Sequence, residues 1–192
     1  MSASVHLLLG FPGTGKYTVA KAMVAELERR GETVKLVDAH YVNNPVFGLI
    51  HQDGMTPLPA AVWPIVRRVR EALMDAIEEL SPPEYSFIFT NFVTQEEVQG
   101  PVATYFERLH RLAESKGGQL HITRLTCETD ELCRRIVGSD RVARLKMTNA
   151  EKVRALSKSH RIYEPPDGSA LTLDVTELAP SDAALRILEH AG

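Results

Sequence analysis

The sequence predicts a three-layer α/β protein: five parallel strands in one sheet, helices on both faces, and a small helical, basic lid. Three observations carry this. Short apolar runs alternate along the chain with segments of helical period. Several of those runs end at residues suited to a binding edge, namely Gly10, Asp38, Asn91 and Cys127. Between the first run and the first helical segment lies the glycine-rich stretch "GFPGTGKYT", residues 10–18.

The elements follow in order. Residues 5–9 form an apolar run, and Val19, Ala20, Met23, Val24 and Leu27 then recur at helical spacing up to Gly31, a C-terminal cap. A second strand is expected at 33–37, followed by an aperiodic stretch rich in Asn, Pro, Gly and His. A long loop inside a compact domain is more often functional than idle, so 39–60 is read as a substrate loop. Val62, Ile65, Val66, Val69, Leu73, Ile77 and Leu80 mark an amphipathic helix that Pro82 and Pro83 end, and 86–90 is a third strand. "TQEE" at 94–97 has capping-box spacing, and Val102, Phe106, Leu109 and Leu112 mark the next helix. A fourth strand at 120–125, a helix around 130–137, a basic stretch, a helix around 150–160, a strand at 171–175 and a helix from Ser181 complete the chain. The 192 residues are expected to form one domain, 1–192, with the lid at about 134–150.

Composition narrows the function. No segment approaches the ~18 apolar residues of a membrane span, and the N-terminus reads as a strand rather than a signal peptide, so no membrane partner and a cytoplasmic location are expected. Cys127 and Cys133 lack the paired histidines of a zinc site and are read as reduced thiols. Net charge is −3, yet residues 134–161 hold nine Lys/Arg against two acids, leaving −10 for the remainder. Such a run is ordinarily a solvated helix face; beside a phosphate-binding loop it also suits a phosphate clamp. Acidic overall charge and the lack of interleaved aromatic residues argue against nucleic acid. The oligomeric state is not legible.

Gly10, Gly13, Gly15 and Lys16 match G-x-x-x-x-G-K, the Walker A pattern, with the required strand before and helix after. Glycines let successive N–H groups converge on phosphate oxygens at a helix N-terminus, while Lys16 adds a point charge. ATP-binding residues are therefore expected at Gly10, Phe11, Pro12, Gly13, Thr14, Gly15, Lys16, Tyr17 and Thr18. Tyr17 stands where a small hydroxyl ordinarily meets Mg²⁺, and its phenol oxygen lies far from that position. The third strand offers Thr90 and Asn91 where an acid often helps hold the metal. Mg²⁺ is expected to rest on ATP phosphates, water and, through water, Asp38.

With these motifs the chain resembles the small P-loop kinases: gluconate, shikimate and adenylate kinases, chloramphenicol phosphotransferase and zeta toxins. The likeness spans nearly the whole chain in element order, but only the loop is specific. It implies a P-loop NTPase fold, ATP and Mg²⁺ as cofactors, and transfer of a phosphoryl group to a small molecule. Thr18 resembles the second hydroxyl position of the family, at the α-phosphate. "RRIVGSDR", 134–141, is similar to the start of the adenylate kinase lid; by that likeness Arg135 lies along the adenine, and Arg141, with Arg144, reaches the phosphates. Several of these kinases carry an aspartate where Asp38 ends the second strand, binding the acceptor hydroxyl and taking its proton. The resemblance thus implies Lys16, Asp38 and Arg141 as catalytic.

Around Asp38, the residues His40, Tyr41, Asn43, Asn44, Phe47, His51, Asp53, Trp63 and Asn91 are of types that recognise a small polar acceptor by stacking and hydrogen bonds. Phe47 and Trp63 are equally suited to a core, and Asp38 to capping a turn. Arg67, Arg68 and Arg70 are candidates for a phosphate on the acceptor or for a solvated face. The readings left open are a kinase acting on a hydroxyl, a nucleotide kinase with a phosphate acceptor, and a non-catalytic nucleotide-binding module or NTPase.

Overall fold

The computed structural model describes residues 3–50 and 53–192, so His51 lies outside the described residues. Five strands, β1 (Val5–Leu9), β2 (Val34–Asp38), β3 (Ser86–Asn91), β4 (Leu120–Thr126) and β5 (Leu171–Asp174), form one sheet in the order β2-β3-β1-β4-β5. All four pairings are parallel. The expected α/β fold with its five-stranded parallel sheet is thus the observed one.

Helices cover both faces, which is why β1 reads as an unbroken apolar run. Leu7 and Leu9 belong to a core with Phe87, Phe89 and the buried sides of α3 (Val62–Leu80) and α4 (Pro101–Ser115). Leu8, pointing the other way, packs with Ile88, Leu125 and Leu173 against α1 (Lys16–Arg29) and α8 (Pro180–His190). Each such leucine, fully buried, contributes roughly 1.5–3 kcal/mol. The α1 helix ends as expected at Gly31, which takes φ 85°; the next N–H, of Glu32, returns to the Leu27 carbonyl at 3.0 Å.

Two local readings are corrected. The segment after β2 does not begin as a loop: Ala39–Phe47 is a helix, α2. Asn43, Asn44 and Pro45 have poor helix propensity. The helix forms because the Asp38 carboxylate accepts the His40 N–H at 2.8 Å, and because Val42 and Phe47 pack with Val62 and Val66. The capping box at 94–97 closes a short 3₁₀ turn, Gln95–Glu97, with the Glu97 carboxylate accepting the Thr94 N–H at 2.8 Å. The α4 helix starts separately, with Pro101 at its first position. Beyond β4, the helices α5 (Thr129–Ile136) and α7 (Ala150–Ser159) pack on each other, and the basic stretch between them holds the short α6 (Ser139–Ala143).

The chain runs from β1 to β2 and β3 on one side of the sheet, then crosses to β4 and β5 on the other. The carboxyl ends of β1 and β3 therefore flank a switch point, the place where parallel sheets leave a crevice.

Candidate active site

The loop from β1 to α1 has the geometry its glycines predict. Gly13 and Gly15 adopt φ 97° and 88°, the left-handed region that favours glycine. A Cβ on Gly10 would lie 2.7 Å from Thr14 Oγ1 and 2.9 Å from the Leu125 carbonyl; on Gly15 it would meet only the Arg135 guanidinium, 4.0 Å away. Lys16 Nζ donates to the carbonyls of Gly10 at 2.6 Å and Phe11 at 2.9 Å, folding the side chain over the loop. Burial, with Arg141 and Lys146 adding to it against the pull of Asp38, lowers the lysine pKa to about 7.

Asp38 ends β2 beside Thr90, its neighbour in register on β3. The carboxylate is 3 % exposed and accepts the Thr90 hydroxyl at 3.1 Å as well as the His40 N–H. Lys146 Nζ lies 3.6 Å from its second oxygen, with the lysine side chain 13 % exposed. Asp38 thus caps α2 and also pairs with a cation of the basic segment. A small water-sized cavity touches Asp38, Thr90, Asn91, Arg70 and Tyr105. Arg70 and Tyr105 also line a larger cavity of about 250 Å³ between α3 and α4, together with Arg67 and Arg108. The Arg70 guanidinium stacks on the Tyr105 ring at 5.0 Å, and burial pushes that phenol up to about 12. Arg108 is paired with Asp75 and Glu78, whereas Arg70 makes no ion pair among the described residues.

The basic segment reaches the loop from the other side. The Arg144 guanidinium and Lys146 Nζ each lie 4.6 Å from the centroid of the Tyr17 ring. Arg141 donates to the Met147 carbonyl at 3.0 Å and lies close enough to Lys16 to depress its pKa. Arg135 is held by Glu131 at 2.6 Å and by the carbonyls of Val175 and Thr176, beside Gly15.

Of the residues singled out around the acceptor, His40 is half-buried, pairs with Asn44 Oδ1 at 2.9 Å, and has its pKa lowered, chiefly by burial. Asn43 Oδ1 is buried without a hydrogen-bond partner among the described residues, an acceptor left to be satisfied. Asn91 uses its side-chain oxygen on the Phe92 N–H. Phe47 is 4 % exposed and belongs to the core around Val62 and Val66, the packing role the sequence left open beside a place at the acceptor. Trp63 meets its edge at 6.3 Å while 49 % exposed, and Tyr41 is 55 % exposed. Asp53 lies exposed in a turn closed on Thr56, and Thr18 is exposed in the first turn of α1. Lys146 and Tyr105 escaped sequence reasoning. Both lie far along the chain from what they touch, and only the charge of 134–161 pointed toward the first.

No protein-family model matches the chain, and no curated protein matches it. Solved structures do match. The chain aligns with a sugar kinase from a Janibacter species at TM-score 0.60 and 20% identity, over 97% of this chain and 93% of the other. With a gluconokinase from Sinorhizobium meliloti the values are 0.57 and 17%, over 99% and 91%. With the APS kinase of Mycobacterium tuberculosis, solved in complex with AMPPNP and APS, they are 0.57 and 15%, over 98% and 97%. This chain therefore has the fold of the small P-loop kinases. Those three neighbours differ in what they are named for, so the fold leaves the acceptor open. No described helix is long and apolar enough to cross a membrane.

A polyphosphate fits the residues present, since the glycine turn leaves room at Gly15 and cations surround it. A metal held directly by protein groups does not fit. The residue after Lys16 presents a ring whose face is taken by two cations, and both Asp38 oxygens already have partners. Among the described residues no cluster of His, Cys, Asp or Glu is arranged to hold a metal ion.

Proposed function

We propose that this chain is a phosphotransferase that moves the γ-phosphoryl group of ATP to a hydroxyl of a small molecule. The observation that carries the proposal is the convergence of Lys16, Asp38 and Lys146 at one crevice, with Lys146 Nζ 3.6 Å from the one buried carboxylate among the described residues. The loop N–H groups and Lys16 hold the phosphate chain, and Arg135 borders the nucleotide beside Gly15. Asp38 receives the acceptor hydroxyl and orients it for in-line attack. Segment 134–150 serves as a lid, in which Arg141 neutralises charge on the moving group and excludes water.

The test is ADP release across a panel of hydroxyl-bearing small molecules, beside calorimetric titration of ATP. Lys16→Ala should abolish both signals. Asp38→Asn keeps an N-cap for α2 but removes the charge, so it should spare ATP affinity and abolish transfer. Full transfer by Asp38→Asn would overturn the assigned role.

One observation favours a second reading, an acceptor that itself carries phosphate or another anion. Arg70 and Arg67 line the larger cavity, and Arg70 also borders the one at Asp38. A half-buried guanidinium without a carboxylate partner is the form of side chain that awaits an anionic ligand. ADP release restricted to phosphorylated or carboxylated acceptors, and lost in Arg70→Gln, would select this reading.

A further inference from the structure

We propose that Tyr17 and Lys146 form a cation shelf that stands in for direct protein ligation of Mg²⁺, so that a polyphosphate chain binds here through organic cations without requiring a metal. The proposal rests on the nucleotide reading above for the identity of the ligand, but not for the shelf itself.

Tyr17 directly follows the loop lysine, so its ring is fixed at the first turn of α1. A ring face attracts cations through its quadrupole, most strongly when the cation is desolvated. Here Arg144 and Lys146 both lie 4.6 Å from the ring centroid, and the Lys146 side chain is largely buried. The intervening residue is held at a cost. Leu145 adopts φ 54°, a left-handed conformation that residues other than glycine rarely take. Its side chain packs against the Val42, Phe47, Val62 and Val66 cluster, while its two neighbours reach the tyrosine. Glycine is required beneath this turn, since a Cβ on Gly54 would come within 2.5 Å of the Lys146 carbonyl, and the Thr148 N–H bonds the Gly54 carbonyl at 2.9 Å. The backbone that carries Lys146 is thereby fixed by the packing of Leu145 and the contacts at Gly54.

Charge completes the argument. Of the three cations Lys16, Arg144 and Lys146, only Lys146 pairs with a described carboxylate, that of Asp38. Like charges held close repel one another, and a polyanion arriving among them relieves that repulsion. A divalent metal bound to the protein would add to the repulsion, whereas three organic cations supply the neutralisation that a metal ordinarily provides to a phosphate chain.

The experiment is calorimetric titration of inorganic tripolyphosphate, and separately of ATP, each with Mg²⁺ and with EDTA. The proteins are the natural chain, Tyr17→Phe, Tyr17→Leu and Lys146→Met, with thermal melting to verify folding. In EDTA the natural chain and Tyr17→Phe should bind tripolyphosphate alike. Tyr17→Leu and Lys146→Met should bind it about tenfold more weakly. The same order with ATP supports the proposal and the nucleotide reading together. The same order with tripolyphosphate but no ATP binding upholds the shelf and removes the nucleotide reading. Loss of tripolyphosphate binding in EDTA by the natural chain overturns the proposal, as does Tyr17→Leu binding like the natural chain. Absence of binding by either probe in all conditions overturns the shelf as an anion site.

Discussion

Lys16 gives the most searching prediction, because its ammonium forms no ion pair with a described residue and, despite the pull of Asp38, its pKa is lowered to about 7. Burial is the main cause, and Arg141 and Lys146 add to it. Phosphate oxygens arriving at the loop reverse that balance and favour the charged form. At pH 8 only about a tenth of ligand-free molecules carry the proton at Lys16, so ATP binding should take up close to one proton. Apparent affinity should then fall about tenfold for each pH unit above 8. Calorimetry in two buffers of different ionisation enthalpy reads the uptake directly. Lys16→Arg keeps a cation that does not titrate in this range and should bind ATP more weakly, without the uptake and without the slope. A natural chain that binds ATP with no buffer-dependent heat and a flat profile from pH 8 to 9.5 would refute the argument.

Four further outcomes are expected. His6, buried in β1 and stacked on His121, has its pKa lowered to about 3 by burial first and His121 second. The unfolded chain therefore binds the proton more readily between pH 6.5 and 3. Acidification from pH 7 to 5 should cost about 2 kcal/mol in urea unfolding, and His6→Leu should flatten that dependence. Gly10→Ala places a methyl against the Leu125 carbonyl and Thr14, and should cost about 1–3 kcal/mol as well as phosphate binding, by unfolding and titration. Arg108→Met removes three charge-assisted hydrogen bonds to partly exposed acids and should cost about 1 kcal/mol. Arg70→Met, with no such bonds to lose but its stacking on Tyr105 removed, should cost no more than about 1 kcal/mol of stability, and a larger loss would return Arg70 to a structural role.

Much of the fold was legible because it is written locally. The strand runs, the helical period of α1, α3 and α4, and the glycine spacing of the loop each depend on residues a few positions apart, where backbone angles and side-chain period dictate the outcome. The α2 helix was not legible. Its residues disfavour helix, and the contacts that hold it come from Val62 and Val66 and from the cap at Asp38. Arg70 showed the same limit from the other side: the sequence displayed a basic helix face, but only the cavity shared with Tyr105 separated it from Arg68.

By itself, then, the sequence determined the parallel α/β sheet, the glycine-rich turn into α1 and the edge on which Gly10, Asp38 and Asn91 meet, because the period of each segment and the order of strands leave few alternatives. It also raised the question of Tyr17 without answering it. What surrounds its ring was decided by the tertiary structure alone, since Arg144 and Lys146 stand more than a hundred residues along the chain. Their approach to the ring is decided by where Leu145 finds its core and by the space above Gly54. Contacts of that range are set by packing in three dimensions, which residue spacing along the chain does not encode.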